Sequence, residues 1–147
     1  MDNFTKQFGT KLISKEGEVD TIATLADVDA VGIYFSAHWC PPCRGFTPKL
    51  AEKYKALKDA GKKFEVIFAS GDQDETQFKE YYDEMPWLAL PFTEKTLIEK
   101  LNNYYDCQGI PYLVILDGKT GDLITKKGKA EVSDENYIQS FPWRPQP

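Results

Sequence analysis

Short apolar runs alternate along this chain with stretches whose apolar residues recur every three or four positions. Ala30-Val31-Gly32-Ile33-Tyr34-Phe35 is an unbroken apolar run with β-branched and aromatic residues, the pattern of a strand buried on both faces. Phe64 to Ala69 repeats that pattern. Between them Phe46, Leu50, Tyr54 and Leu57 are spaced by four, four and three, which predicts a helix opened by a Pro-Pro pair and stopped at Lys58-Asp59-Ala60-Gly61. Pro48 falls inside it and is expected to kink it, because its ring lacks an N–H and clashes with the preceding turn.

The flanks follow the same logic. Lys11–Ser14 and Glu18–Ile22 around a Lys-Glu-Gly turn predict a hairpin, read as a covering element. Ser70 to Asp74 offers N-caps for a helix carrying Phe78, Tyr81, Tyr82 and Met85 toward the core, ended by Pro86. Leu88–Leu90 predicts a short strand, and Leu97, Ile98, Leu101 and Tyr105 a third helix. Tyr112–Leu116 and Leu123–Thr125 predict a hairpin across Asp117–Gly121, with a last helix over Asp134–Ser140. Strands alternating with helices and ending in a hairpin imply an α/β fold: a central mixed β-sheet flanked by helices on both faces, with the first hairpin as an extension.

Composition narrows the class. At 147 residues, 41 % hydrophobic and 28 % charged, the chain is expected to form one domain over 1–147 with a packed core. Eighteen Lys plus Arg against 23 Asp plus Glu leave a net charge of −5 with no basic run, so nucleic acid is not an expected partner. No apolar stretch approaches the ~20 residues that cross a bilayer, and the N-terminus lacks a basic region followed by an apolar one. Neither a membrane nor export is expected, and a reducing cytoplasm is the expected location.

The chemistry is concentrated in Trp39-Cys40-Pro41-Pro42-Cys43. With three cysteines in all, this is not a disulfide scaffold, and two of them lie two residues apart. The pair sits between a buried strand and a helix N-terminus, whose partial positive charge and unpaired amides favour a thiolate. Cys40 is therefore the expected attacking thiol. Cys43, back on the same side of the first turn, is expected to be more buried, less acidic and able to resolve a mixed disulfide. Pro41 and Pro42 stiffen the turn. A closed zinc site wants four ligands, and only His38 and Cys107 remain as soft partners, so neither metal nor cofactor is expected.

Other residues are candidates beside this pair. His38, if protonated, would favour a Cys40 thiolate, although a solvent-exposed side chain is the plainer reading. Trp39 is read as a cover for the pair that meets partners, or as ordinary packing. Asp72, with Asp74 and Glu75, could meet a cationic substrate or cap a helix, capping being preferred. Cys107 is either a regulatory thiol or a small buried hydrophobe. Gly109-Ile110-Pro111 precedes a strand. A strand-entry proline is ordinarily trans, but facing a cysteine pair the cis form is favoured, leaving a bare backbone edge where Ile110 and Pro111 can hold substrate.

Tyr34 through Pro48, read as Tyr-Phe-Ser-Ala-His-Trp-Cys-Pro-Pro-Cys-Arg-Gly-Phe-Thr-Pro, resembles the active-site signature of tryparedoxins and nucleoredoxins, a branch of the thioredoxin superfamily. Phe64–Phe68, Met85–Ala89, Gly109–Pro111 and Phe141–Trp143 resemble the same family in the same order. The resemblance implies a thioredoxin fold with an N-terminal hairpin and dithiol–disulfide oxidoreductase activity. Cys40 would be the nucleophile, Cys43 the resolving thiol and Pro111 the cis proline opposite them. It implies oxidised proteins as substrates, with peroxiredoxins as candidate targets, and a low-molecular-weight thiol or a reductase as electron donor. Ordinary thioredoxins have a buried aspartate where Tyr34 stands, so the proton taken up by Cys43 would come from another group or from solvent. Gly71, Lys127 and Lys129 replace a tryptophan and an arginine of kinetoplastid tryparedoxins, which leaves the donor open among trypanothione, glutathione and a reductase. A redox-sensing interaction module with little turnover is the alternative reading.

Overall fold

The computed structural model describes residues 3–144. Its frame is one seven-stranded sheet. The strands are β1 (Lys11–Ser14), β2 (Gly17–Asp20), β3 (Ala30–Ser36), β4 (Phe64–Ser70), β5 (Leu88–Ala89), β6 (Tyr112–Asp117) and β7 (Leu123–Thr125), in the spatial order β2-β1-β5-β4-β3-β6-β7. β3, β4 and β5 run parallel, while β6 lies antiparallel to β3 and to β7. The sheet is thus mixed, as the alternation of elements predicts.

Every residue of β3 is buried, and strand alternation divides its side chains between two cores. Ala30 and Tyr34 face the side covered by α3 (Pro41–Asp59) and α4 (Glu75–Tyr82), where Leu50, Tyr54, Leu57, Phe78 and Tyr81 pack. Val31, Ile33 and Phe35 face the side covered by α1 (Asn3–Phe8) and α5 (Lys95–Tyr104), against Phe4, Phe8, Ile98 and Leu101. Each such fully buried side chain is worth about 1.5–3 kcal/mol over an exposed one.

Several expectations change. The first hairpin does not cover the fold; it extends the sheet edge, with Ile13 paired to Ala89. Its second strand stops at Asp20 because that side chain accepts from the Ala23 amide at 3.0 Å and caps a short helix, α2 (Thr21–Thr24). Helix α1 was not foreseen. Nor was α6 (Gly128–Ser133); the expected C-terminal helix is reduced to α7 (Tyr137–Ser140). Met85 is buried as expected but lies in the turn beyond α4. Helix α3 runs through Pro48 without ending, at the cost of the hydrogen bond that the missing N–H would give.

Candidate active site: a thiol pair at a helix N-terminus

Three loops meet beyond the carboxyl ends of the parallel strands, where open α/β sheets place their sites. One leaves β3 at Ser36 and delivers Cys40. A second leaves β4 at Ser70, and the Gly71 amide donates to the Ser36 carbonyl at 2.8 Å. The third is Gly109–Pro111, at the entrance of β6. Its Ile110–Pro111 bond is cis, as the sequence reading favours, and Ile110 packs against Ala37, Cys40 and Cys43.

Cys40 occupies the N-cap of α3 in extended conformation, with no side-chain capping bond. Pro41 and Pro42, both exposed, fill the first two helical positions, where an N–H would have no intrahelical acceptor. The next turn brings Cys43 back: the two sulfurs lie 2.6 Å apart as free thiols, so closing a disulfide of ~2.05 Å needs only a small approach. Cys40 keeps 6 % of its surface exposed and Cys43 none. Burial, and then the hydrogen bond with Cys40, push the Cys43 thiol up to about 11; the Ser36 hydroxyl and the Ala37 amide pull weakly the other way. The burial order expected of the two cysteines is the one found. Cys40 Sγ also sits 3.8 Å from the Ile110 carbonyl oxygen.

The surrounding residues are distributed as follows. Trp39 is 52 % exposed, yet its indole N–H donates to the Gly71 carbonyl at 2.9 Å, so the ring lies across the second loop. The half-buried His38 packs its ring edge-on to Tyr81, with centroids 5.8 Å apart. Its backbone N–H donates to Asp72 at 2.6 Å. The acidic cluster divides: Asp74 caps α4 through the Gln77 amide, whereas Asp72 is buried and does not cap that helix. Its second oxygen accepts from the Ser70 hydroxyl at 2.8 Å. Asp72 thus ties the loop before Cys40 to the end of β4. Half-buried Cys107 donates to the Gly109 carbonyl, and burial pushes its thiol up, which opposes a reactive role. Trp87 and Trp143 are core residues.

Sequence reasoning missed what lies beneath the pair. The Tyr34 hydroxyl shares a 2.7 Å hydrogen bond with Thr47, Thr47 bonds Tyr81, and Tyr81 shares a 2.6 Å bond with Ser36. Thr47 and Tyr34 also donate to the Cys43 carbonyl, at 2.9 and 3.4 Å. Two signals were present: Ser36 is two residues beyond Tyr34 on one strand face, and Thr47 is one helical turn beyond Cys43. Nothing in the sequence links Tyr81 to either.

The comparisons agree with this architecture. A family model described as thioredoxin-like matches residues 27–123. Nucleoredoxin from Bos taurus is 51 % identical over 117 residues, 80 % of this chain and 27 % of that protein. The chain therefore spans about a quarter of the length of the nucleoredoxins it matches. Tryparedoxin from Trypanosoma brucei brucei is 42 % identical over 91 % of both chains. Among solved structures, native tryparedoxin I from Crithidia fasciculata superposes with a TM-score of 0.89 at 37 % identity, over 99 % of this chain and 100 % of that one. A tryparedoxin II complexed with glutathionylspermidine superposes at 0.88 and 37 % identity, over 98 % of this chain and 100 % of that one. With its thiol pair at the N-terminus of α3, its cis proline opposite and its mixed sheet, the chain belongs to the thioredoxin-like family.

Proposed function

We propose that this chain is a dithiol–disulfide oxidoreductase that reduces protein disulfides through Cys40 and Cys43. The observation that carries the reading is the juxtaposition of three atoms: Cys40 Sγ at the helix N-terminus, Cys43 Sγ 2.6 Å behind it, and the Ile110 carbonyl 3.8 Å in front. A substrate segment laid along Gly109–Pro111 brings its disulfide to Cys40. The Cys40 thiolate attacks one sulfur of that disulfide, and the partner sulfur leaves with the electron pair. Cys43 then attacks Cys40 Sγ, closing the Cys40–Cys43 bond and releasing the second target thiol. The target gains two electrons, and two thiol donors, or a reductase, return them to the pair. Trp39 supplies an exposed aromatic anchor beside the opening.

Peroxiredoxin disulfides are the targets we infer, with a low-molecular-weight thiol as donor and the cytoplasm as compartment. Likeness to tryparedoxins, one of them complexed with glutathionylspermidine, supports a thiol donor. No described helix is long and apolar enough to cross a membrane.

The test is the redox equilibrium of the pair in dithiothreitol or glutathione buffers, read by acid quench, alkylation and peptide mass spectrometry. A reversible two-electron Cys40–Cys43 couple between roughly −180 and −280 mV is expected. A pair that forms no disulfide in that window overturns the reading. Cys43→Ser should accumulate mixed disulfides with many proteins; capture of one or two would favour a redox-sensing module instead.

A further inference from the structure

A groove of about 1050 Å3 lies between α1, α5 and the turn that joins β6 to β7, and none of the exchange residues lines it. Its walls are tied together. The Tyr105 hydroxyl donates to the Gln7 side-chain carbonyl, and the Gln7 amide donates to the Gly121 carbonyl at 3.2 Å, so the shape is fixed before a ligand arrives. On α5, Leu97, Lys100, Leu101 and Tyr104 follow the three- and four-residue spacing of one helix face, and all four line the groove. Leu101 is buried, whereas Tyr104 is 74 % exposed. Leu123 of β7, 45 % exposed, lines it too. Four large apolar side chains are exposed among the described residues; two of them meet here, while Trp39 stands at the thiols. Such clustering marks a surface that is covered by something else.

The charge of the groove runs against that of the chain. The protein carries −5, yet the lining holds the ammonium groups of Lys6, Lys100 and Lys126 against the carboxylate of Asp122 alone. Lys126 is paired with Asp106 at 3.0 Å, and among the described residues neither Lys6 nor Lys100 has a carboxylate within ion-pair reach. An anionic ligand is therefore drawn to it. Two features favour an extended chain over a small molecule. The volume exceeds the ~300–1,000 Å3 of small-molecule pockets, and β7 is the last strand of the sheet, so the backbone groups on its outer edge have no strand partner. We propose that this groove is a second docking site for protein partners, binding an extended acidic segment that carries an apolar side chain. Its apolar side chain lies against Tyr104 and Leu123, its carboxylates reach Lys6 and Lys100, and its backbone follows β7. The groove is joined to the thiol site, because Tyr112, next to Pro111, donates its hydroxyl to the Tyr105 carbonyl at 2.6 Å. A partner held here keeps its disulfide at a raised local concentration beside Gly109–Pro111. That use rests on the exchange reading above; the binding itself does not.

The probe is a cysteine-free peptide, acetyl-Glu-Glu-Leu-Glu-Phe-Glu-Glu-amide, titrated into the reduced protein and followed by amide NMR. Resonances of residues 97–105 and 121–126 should shift and saturate, while those of Trp39–Cys43 stay in place. Lys6→Glu, Lys100→Glu and Tyr104→Ser should each weaken binding about tenfold. All three side chains are exposed, so these variants should melt with the parent and be reduced by dithiothreitol at its rate. A peptide with Gln in place of every Glu should bind at least about tenfold more weakly, and raising the ionic strength from ~0.05 to ~0.5 M should weaken the acidic one. No saturable shift, shifts confined to Trp39–Cys43, or equal binding of the Gln peptide overturns the docking site. So does a nucleoside triphosphate that binds the groove more tightly than the peptide, which would make it a small-anion pocket. If the peptide binds as described but the thiol pair cycles no disulfide, the exchange reading fails and the docking site stands.

Discussion

Asp72 accepts the backbone N–H of His38 at 2.6 Å, joining the end of one parallel strand to the loop that carries Trp39 and Cys40. Because Ser70 satisfies the other oxygen, the carboxylate acts as a strut between the two loops. Asp72→Ala leaves buried donors without an acceptor and should cost about 2 kcal/mol. Asp72→Asn keeps one acceptor for His38 and should cost less than half of that. Urea denaturation measures both, and equal losses would show that the amide bond to His38 is not what matters.

Cys43 sets a pH dependence. Its thiol is raised to about 11, first by burial and then by Cys40, well above the ~8.5 of an unfolded thiol. A raised folded value stabilises the protein below the unfolded value and is lost as pH climbs through the folded one. The reduced protein should therefore lose roughly 2 kcal/mol between about pH 9 and 11. The disulfide form keeps the Cys107 thiol but has neither thiol of the pair, so the difference between the two forms isolates the contribution of the Cys40–Cys43 pair. Parallel denaturation curves for both forms across that range would contradict it.

Trp39 separates docking from stability. It is 52 % exposed and held by one hydrogen bond to Gly71. Trp39→Ala should change stability by less than about 1 kcal/mol. Its kcat/KM toward a protein disulfide should fall about tenfold, as for an interface anchor, while reduction by dithiothreitol stays nearly unchanged. Equal losses with both reactants would mean that the ring organises the thiols rather than the partner.

Gly118 tests the fold alone. Its amide donates to the Asp29 carbonyl at 2.9 Å, and a Cβ there would stand 2.0 Å from the Val28 carbonyl oxygen. Backbone cannot yield as a side-chain tip can, so Gly118→Ala should destabilise by about 3 kcal/mol or more. Its folded fraction should retain the redox potential of the pair. A melting temperature within a degree or two of the parent would refute the close approach.

The sequence by itself determined the elements whose periodicity is strong and the chemistry whose spacing is local. β3 and β4 read as buried runs, α3 and α4 as amphipathic faces, and Cys40 and Cys43 as neighbours across one helical turn, because each follows from residues close together in the chain. Weak local signals were not enough. Helices α1 and α6 carry few apolar positions, and the stop of β2 depends on a single Asp20 cap.

What only the tertiary structure decided are relationships between residues far apart in sequence. It turned Asp72 from a candidate cap into a strut, seated His38 against Tyr81, and attached the first hairpin to β5. It also closed a hydroxyl chain from Ser36 through Tyr81 to Thr47 and Tyr34. Buried polar groups must find partners wherever packing places them. Their pairing is fixed when strand ends and helix faces are brought together, and no spacing along the chain records it.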